Sequence, residues 1–490
     1  MNRHRLLRVA VVVTAAALAT MTSAAYGMPG HAHYAVEGPY PPGEFVGKIA
    51  LSPDHGPVGT LVTMTGSGLP ANTTLDLVWQ TVKGSWVLRG AMQEEYHGRR
   101  FNLAFLPLLK VTTNTRGELE ATFKAPDDYG WYHDVLLMKD GVIRNKAAFK
   151  IDIQVAVSPL RGPLGTPITI DVKGIGWQNM ENSWMVIYDN RFTGWLSSVT
   201  TQGRARAIIP ASGGLGPHVI QIVHGSFTFP YMNMHQSPRP ERPTFAFTFT
   251  VTPGQPVLPP KAESQALPLR RGAVPAGSGP AIWTDIAVGT VGTAFRLVGR
   301  GLPAGETLDV TWETVVGNRV SGDGWGDQTE VIAKAVVDAS GNIALPLKAR
   351  DDVGGPHPIT VRLAGKTLAQ TSFLLTPSAF ALEPGSGPTG TTFTIHLKGV
   401  GWTETANIYH IVYDNAYVGY ACGFNSQGDV RVFLKATGGP GWHFIDLYPG
   451  IYRGRDVGGV NNFRIPQLTF AADHPGERLP AFRFAFFVTK

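Results

Sequence analysis

The chain contains an internal duplication, and this constrains its fold more than any other feature of the sequence. Residues 173–218 (KGIGWQNMENSWMVIYDN…GGLGPH) repeat without a gap as residues 398–443 (KGVGWTETANIYHIVYDN…GGPGWH). A second, different pair repeats as well, because GSGLPANTTLDLVWQTVKG at 66–84 returns as GRGLPAGETLDVTWETVVG at 299–317. Two unlike units that recur in the same order predict a duplicated pair of repeats, arranged A–B–A′–B′.

Composition and periodicity predict β-structure for these repeats. The 490 residues include 58 glycines and 37 prolines, and only 16% are charged, which suits short strands and many turns better than helices. Apolar and polar residues alternate at 61–65, 166–170 and 482–486, as in half-buried strands. The sequence therefore predicts an all-β protein of four tandem immunoglobulin-like β-sandwich domains, each of roughly 100 residues. The predicted segments are a signal peptide at 1–27, an extended N-terminal arm at 28–45, A at 46–153, B at 154–252, a Pro-rich, semi-rigid linker at 253–281, A′ at 282–377 and B′ at 378–490.

Three of the four repeats open with the same motif. The sequences are LSPDHGPVGTLVTMTGSGLP at 51–70, SPLRGPLGTPITIDVKGIGW at 158–177 and EPGSGPTGTTFTIHLKGVGW at 383–402. This opening resembles the IPT/TIG type of bacterial immunoglobulin-like domain. A′ departs from it, since 287–303 lacks the Ser-Pro and the Gly-Pro. The resemblance implies a β-sandwich fold and a role as a spacer, adhesive or glycan-contact module, and it implies no catalytic residues.

The N-terminus has the features of a secretory signal. Arg3, Arg5 and Arg8 precede an apolar run at 9–19, which small residues follow. The run is too short for a comfortable membrane span, so we expect no transmembrane segment and a mature protein that is periplasmic, at the cell surface or extracellular. Cys422 is the single cysteine, which excludes disulfides within the chain.

Charge and motifs exclude several classes of function. The net charge of +6 is mild and spread along the chain, and no Lys/Arg run predicts nucleic-acid binding. No common hydrolase, metalloprotease, nucleotide-binding or redox motif is present. Features that recur at one repeat position are interpreted as structural: the Asp-Asp pairs at 127–128 and 351–352, and the histidines His133, His218, His357 and His443.

The sequence thus predicts a secreted, non-enzymatic binding or structural protein of the bacterial cell envelope or extracellular matrix, with no cofactor. Its expected partner is a protein or a polysaccharide at the cell surface, and the oligomeric state is left open. Two alternatives stay open. One is an extracellular carbohydrate-active enzyme with acids in its loops. The other is an accessory subunit of a secreted metalloprotein system, suggested by His31, His33, Met232, Met234 and His235.

Candidate binding residues are sought where the repeats differ, because loops vary while cores repeat. The B-type repeats have long excursions before the last strand, at 226–242 in B and 451–478 in B′, and A has a shorter insertion that includes 94–100. The excursions are rich in Tyr, Phe, Met, Asn and Arg, which are typical of binding surfaces. The alternative is that they pack domain against domain. With the recurring Tyr-Asp-Asn turns, the predicted binding residues are Tyr188, Asp189, Asn190, Tyr231, Met232, His235, Tyr413, Asp414, Asn415, Tyr452, Arg453 and Arg455.

Overall fold

The computed structural model describes residues 36–37, 39–90, 93–178, 181–182, 184–226, 229–236, 244–318, 324–452 and 465–490. Within these ranges the chain forms β-strands and three short 3-10 helices, at Met234–Gln236, Ala262–Gln265 and Phe424–Ser426, and no α-helix. The predicted all-β class is therefore confirmed. None of the helices in this part of the chain has the length and apolar character needed to cross a membrane. The predicted signal peptide and the candidate residues His31, His33, Arg453 and Arg455 lie outside the described residues.

Repeat A and its arm form two sheets around one core. The strands are β1 (Val36–Glu37), β2 (Lys48–Ser52), β3 (His55–Gly56), β4 (Leu61–Ser67), β5 (Thr74–Arg89), β6 (Glu95–Thr112), β7 (Leu119–Lys124), β8 (Trp131–Lys139) and β9 (Val142–Ile151). The three-stranded sheet has the order β2-β4-β7, and the six-stranded sheet has the order β1-β6-β5-β8-β9-β3. Alternate apolar residues of both sheets, such as Val62, Leu77 and Phe149, meet between them, as in an immunoglobulin-like sandwich.

Repeat B has the same pair of sheets with an added hairpin. The strands are β10 (Gln154–Ser158), β11 (Arg161–Gly162), β12 (Pro167–Lys173), β13 (Trp184–Tyr188), β14 (Arg191–Leu196), β15 (Ala205–Pro210), β16 (Gly216–Ser226), β17 (Phe229–Pro230) and β18 (Phe245–Val251). The sheets have the orders β10-β12-β15 and β11-β18-β16-β13-β14, and β17 pairs with β16. The core of B also contains Val412, Tyr448 and Leu468. The hydrophobic interior of B therefore continues into B′.

Repeat A′ reproduces the sandwich of A. The strands are β19 (Arg270–Arg271), β20 (Ala281–Thr284), β21 (Ile286–Gly289), β22 (Ala294–Arg300), β23 (Thr307–Asn318), β24 (Gly324–Val336), β25 (Ile343–Lys348), β26 (Gly355–Leu363) and β27 (Lys366–Leu375). The sheets have the orders β20-β22-β25 and β19-β21-β27-β26-β23-β24. Trp312 and Phe373 occupy its core, where Trp79 and Phe149 lie in A.

Repeat B′ completes the duplication. The strands are β28 (Ser378–Ala379), β29 (Ser386–Pro388), β30 (Thr392–Lys398), β31 (Ile408–Tyr413), β32 (Ala416–Cys422), β33 (Val430–Lys435), β34 (Gly441–Pro449) and β35 (Phe482–Thr489). The sheets have the orders β28-β30-β33 and β29-β35-β34-β31-β32. Phe393, Ile411 and Phe486 lie in its core. The boundaries between the predicted domains stay a prediction, since the core of B includes residues of B′.

The predicted arm and linker both pack on the sheets. In the arm, β1 pairs in parallel with β6. In the linker, Ala262 is buried in the core of B′, and the side chain of Gln265 bonds both the backbone nitrogen and the backbone oxygen of Arg483, each at 2.7 Å. Hydrogen bonds and buried apolar contacts therefore hold this part of the predicted semi-rigid linker against B′.

The recurring histidines have the structural role that the sequence predicts. His133 places its two ring nitrogens 2.9 Å and 2.8 Å from the carbonyl oxygens of Gln80 and Tyr129, and His357 makes the matching pair of contacts in A′. In B, His218 contacts Asp189 and a glycine carbonyl instead, and B′ repeats this arrangement. Each ring therefore fixes the strand on which it lies to a neighbouring loop or strand.

The A–B junction and the A′–B′ junction are built in the same way. Gly130 forms a parallel bridge with Gly176, and Gly354 forms the matching bridge in the second half of the chain. A Cβ atom on Gly130 would lie 1.8 Å from the oxygen of Gly174, and one on Gly354 would lie 2.1 Å from the oxygen of Gly399. The close approach of two backbones explains why both positions are glycine.

The Gly354→Ala variant is expected to lose about 1–3 kcal/mol of unfolding free energy, because a methyl group there would overlap a backbone oxygen that cannot rotate away. Thermal unfolding of the protein measures the effect. The control is Gly419→Ala, since no atom lies within 4 Å of a Cβ placed on Gly419, and its stability should change by less than about 0.5 kcal/mol. Equal stability of the two variants would contradict this account of the junction.

Candidate binding surface

The two Tyr-Asp-Asn segments are tight turns between paired strands. Asp189 and Asn190 connect β13 to β14 with φ angles of 49° and 62°, and Asp414 and Asn415 connect β31 to β32 with φ angles of 46° and 60°. Positive φ at both central residues is the type I′ pattern, which Asp and Asn tolerate better than most residues. The turn chemistry thus explains why these residues recur.

Three of the six residues of these turns, Tyr188, Asp414 and Asn415, are buried, so a ligand does not reach them as predicted; for the other three the prediction stays a prediction. Tyr188 is fully buried, and its hydroxyl donates to the oxygen of Ser212 at 2.8 Å. Asp414 is buried against His443. The two half-buried members are Asp189 and Tyr413, and Asn190 is exposed.

Asn415 is buried because it joins B′ to B. Its side-chain nitrogen donates to the oxygen of Pro210 at 2.8 Å and lies 2.9 Å from the hydroxyl of Ser212. Its own backbone oxygen accepts a hydrogen bond from the hydroxyl of Thr193 at 2.6 Å. Asn190, at the same position of the other repeat, is exposed. The contact between B and B′ is therefore not symmetric at this point.

The excursion of B′ packs against B in its described part. Trp195 in β14 donates its backbone N–H to Pro466 at 2.8 Å and accepts from the N–H of Leu468 at 2.9 Å. Gln467, between them, is 1% exposed. This segment covers the open edge of the B sheet as an added strand would. The alternative that the excursion packs domain against domain is confirmed for these residues, and the candidate Tyr452 is also buried.

In contrast, the described part of the excursion of B, residues 229–236, is accessible. β17 extends β16 as a short hairpin, and the chain then reaches the 3-10 helix Met234–Gln236. Met232 is 74% exposed and Phe229 is 51% exposed, while His235 is exposed and Tyr231 is half-buried. The predicted residues Tyr231, Met232 and His235 therefore lie at a surface that a partner can reach.

An aromatic surface extends from this hairpin across B to B′. The ring of Phe229 lies 5.4 Å from that of Phe192, and the ring of Phe192 lies 6.2 Å from that of Tyr417. His410 then lies between Tyr417 (5.7 Å) and Tyr420 (6.2 Å). We call Phe229, Phe192, Tyr417 and Tyr420, together with Met232, the aromatic strip. It joins side chains that are far apart in sequence into one surface.

Three members of the aromatic strip were missed by sequence reasoning: Phe192, Tyr417 and Tyr420. The repeat alignment contains a signal for two of them, because Phe192 and Tyr417 occupy the same repeat position and both are aromatic. Their rings meet because β14 and β32 lie side by side in the structure. That contact depends on how B packs on B′.

A buried histidine supports the aromatic strip from beneath. His410 is fully buried, and burial lowers its pKa to about 3. Its Nδ1 lies 3.2 Å from the hydroxyl of Tyr417, while its Nε2 has no hydrogen-bond partner among the described residues. The ring is therefore neutral at physiological pH and acts as a packing element with one unsatisfied polar atom.

Metal ligands do not gather at this surface. Across the described ranges, no group of three or more His, Cys, Asp or Glu side chains is placed to hold a metal ion.

Comparisons with known proteins return only distant structural likenesses. No family model matches the chain, and no curated protein matches it. Among solved structures, Salmonella α2-macroglobulin is 9% identical over 91% of this chain, with a TM-score of 0.18, and the chain spans only 31% of that protein. The D1–D4 ectodomain fragment of ICAM-5 is 10% identical over 90% of this chain and 99% of that chain, with a TM-score of 0.18. The Yersinia pseudotuberculosis adhesin InvE is 13% identical over 49% of this chain and 66% of that chain, with a TM-score of 0.19.

These TM-scores are too low to carry an argument about function. The class of the protein follows from its own sheets, in which a three-stranded sheet packs on a five- or six-stranded one in each repeat. The chain is a tandem array of immunoglobulin-like β-sandwiches.

Proposed function

We propose that this chain is a secreted, non-enzymatic binding protein of the bacterial cell surface or extracellular matrix, and that it binds a protein partner through the aromatic strip. The sandwiches are proposed to be of the IPT/TIG type, on the motifs at 51–70, 158–177 and 383–402. The observation that carries the proposal is the run of neighbouring rings that bridges B and B′. Phe229 and Met232 of the B hairpin and Tyr420 of B′ are exposed, and Phe192 and Tyr417 between them are half-buried. Such a patch on a protein surface typically marks an interaction site.

The edge of the B′ sheet supports a protein partner over a polysaccharide. β32 is the last strand of its sheet within the described residues, and Val418 and Tyr420 on it are 54% and 45% exposed. In B, the matching edge strand β14 is covered by the segment around Gln467. A partner backbone can pair with the edge of β32 as the segment around Gln467 pairs with β14. The aromatic strip provides side-chain contacts beside that edge.

Binding to whole cells and to envelope extracts tests the proposal. Phe229→Ser combined with Met232→Ser should weaken capture of a cell-surface protein at least tenfold, because large exposed side chains carry most of the binding free energy at interfaces. Tyr420→Ser should weaken it in the same direction. The control is Val331→Ser with Val336→Ser, which removes exposed apolar side chains from β24 in A′.

The folded state of every variant is checked by thermal unfolding. An equal loss of capture in the β24 control would show that general surface hydrophobicity drives binding, which contradicts the proposal. Capture that survives protease treatment of the cells and disappears on glycosidase treatment would identify a polysaccharide partner instead.

A further inference from the structure

A second candidate site lies away from the aromatic strip, where A, A′ and B′ meet. It is a cavity of about 360 Å³. Its lining comes from the tip of the β5–β6 hairpin of A, the start of β26 in A′, and two segments of B′. The lining residues are Gln93, Gly354, Gly355, Pro356, Thr403, Thr405, Ala406, Gly476 and Glu477. Clefts between domains are common places for small-ligand sites.

The walls of the cavity are fixed by hydrogen bonds between repeats. The hairpin of A is tied to B′ by Glu404, whose N–H donates to the oxygen of Glu94 at 2.9 Å. The carboxylate of Glu404 accepts from the N–H of Tyr96 at 2.6 Å. On the opposite side, Gly354 is held by the A′–B′ junction, since its N–H donates to Val400 at 3.0 Å. The cavity is thus a preformed space between joined repeats.

Glu477 gives the cavity its charge. It is the one acidic residue in the described lining, and no hydrogen bond or ion pair joins its carboxylate to another described residue. Burial raises the pKa of Glu477 to about 7, because a carboxylate removed from water without a partner is costly to ionise. A positively charged group in the cavity would provide the missing partner.

The remaining polar groups define what kind of cation fits. The hydroxyls of Thr403 and Thr405 lie 3.5 Å apart, and Gln93 adds an amide. One carboxylate with neutral oxygen acceptors suits an ammonium group, which has one charge and three N–H donors. Ca²⁺ takes six to eight oxygen ligands and favours several carboxylates. Glycoside hydrolysis requires two carboxyl groups facing the bond, and the lining contains one.

We propose that this cavity binds a primary ammonium group on a small polar molecule, with Glu477 as its counter-ion and the hydroxyls of Thr403 and Thr405 as further acceptors. The inference does not depend on the proposed function, because no residue of the cavity belongs to the aromatic strip. A diamine, an amino sugar and a lysine side chain all carry this chemistry, so the experiment includes one probe of each.

Isothermal titration of the full mature protein tests the proposal. The probes are 1,5-diaminopentane, D-glucosamine and Nα-acetyl-lysine amide, and their neutral counterparts are 1-pentanol, N-acetyl-D-glucosamine and Nα,Nε-diacetyl-lysine amide. We expect at least one ammonium probe to bind saturably at one site per chain, and its neutral counterpart to bind at least tenfold more weakly. Glu477→Gln should weaken the ammonium probe at least tenfold, since it keeps the shape of the side chain and removes its charge. The control Glu306→Gln changes an exposed glutamate of A′ and should leave binding unchanged.

Several results would overturn the proposal. They are the absence of saturable binding by all three ammonium probes, equal binding of charged and neutral probes, or an equal loss in the Glu306→Gln control. Stoichiometric Ca²⁺ binding that requires Glu477 would identify a metal site instead. A thermal unfolding curve for Glu477→Gln that matches the parent protein shows that lost binding is not lost folding. Capture of a cell-surface partner is measured in parallel, so failure here leaves the result for the aromatic strip unaffected.

Discussion

The Asp473→Ala variant is expected to lose about 3–5 kcal/mol of unfolding free energy, because it removes a buried carboxylate that accepts from four donors, one of them the buried N–H of Val199 and the others part-buried. Asp473 is 1% exposed. Its carboxylate accepts hydrogen bonds from the N–H groups of Val199 and Thr200, at 2.7 Å and 2.8 Å, and from the hydroxyl of Thr200 at 2.7 Å. It also accepts one from the indole N–H of Trp86 at 3.2 Å. One side chain of B′ therefore satisfies groups from both B and A.

Urea denaturation of the protein, followed by tryptophan fluorescence, measures this loss. Asp327→Ala, in the exposed strand β24, is the matched control and should change stability by less than about 0.5 kcal/mol. Asp473→Asn should fall between the two, because it keeps one acceptor oxygen but turns an amide N–H₂ toward donors. A loss below about 1 kcal/mol for Asp473→Ala would mean that this segment of the B′ excursion does not brace the repeats.

The duplication predicts the parts of the fold that each repeat builds alone. The cores of A and A′, the recurring histidines and the glycine pairs at the junctions depend on residues within one repeat or one A–B pair, and these residues recur in the sequence. The core of B also includes residues of B′. Gly130 and Gly354 illustrate this, since each allows the same close approach of two backbones. These two glycines therefore have equivalent surroundings because the residues around them recur in both halves of the chain.

The candidate binding surface was harder to predict from the sequence, because it depends on how B packs on B′. Asn190 and Asn415 both follow Tyr-Asp and have φ angles of 62° and 60°, yet one is exposed and the other is buried against B. The composition of the B′ excursion was equally ambiguous. Aromatic, Asn and Arg residues suit a binding loop and also a segment buried between sheets, and only the contacts of Gln467 and Asp473 distinguish the two.

Acid stability gives a second test of the packing beneath the aromatic strip. The pKa of His410 is lowered to about 3 by burial, whereas an unfolded histidine has a pKa near 6.5. Above pH 6.5 the ring of His410 is neutral in both the folded and the unfolded chain, so the full stability is present. As the pH falls below it, the unfolded chain takes up a proton that the folded chain excludes, so stability is lost progressively down to about pH 3. The total loss from this one group is about 4–5 kcal/mol.

His410→Met should abolish this part of the acid sensitivity. Methionine is the residue at the same position of B, where Met185 is fully buried, so the sheet accommodates it in an equivalent setting. Between pH 7 and pH 4 we expect the variant to lose about 3 kcal/mol less unfolding free energy than the parent protein. The difference arises between pH 6.5 and pH 4, where the unfolded histidine is protonated. Denaturant unfolding at the two pH values measures the difference, and His235→Met, at an exposed histidine, should behave like the parent. If His410→Met and the parent lose equal stability on acidification, His410 is protonated in the folded protein, and the ring must then have a counter-ion or water access that its burial excludes.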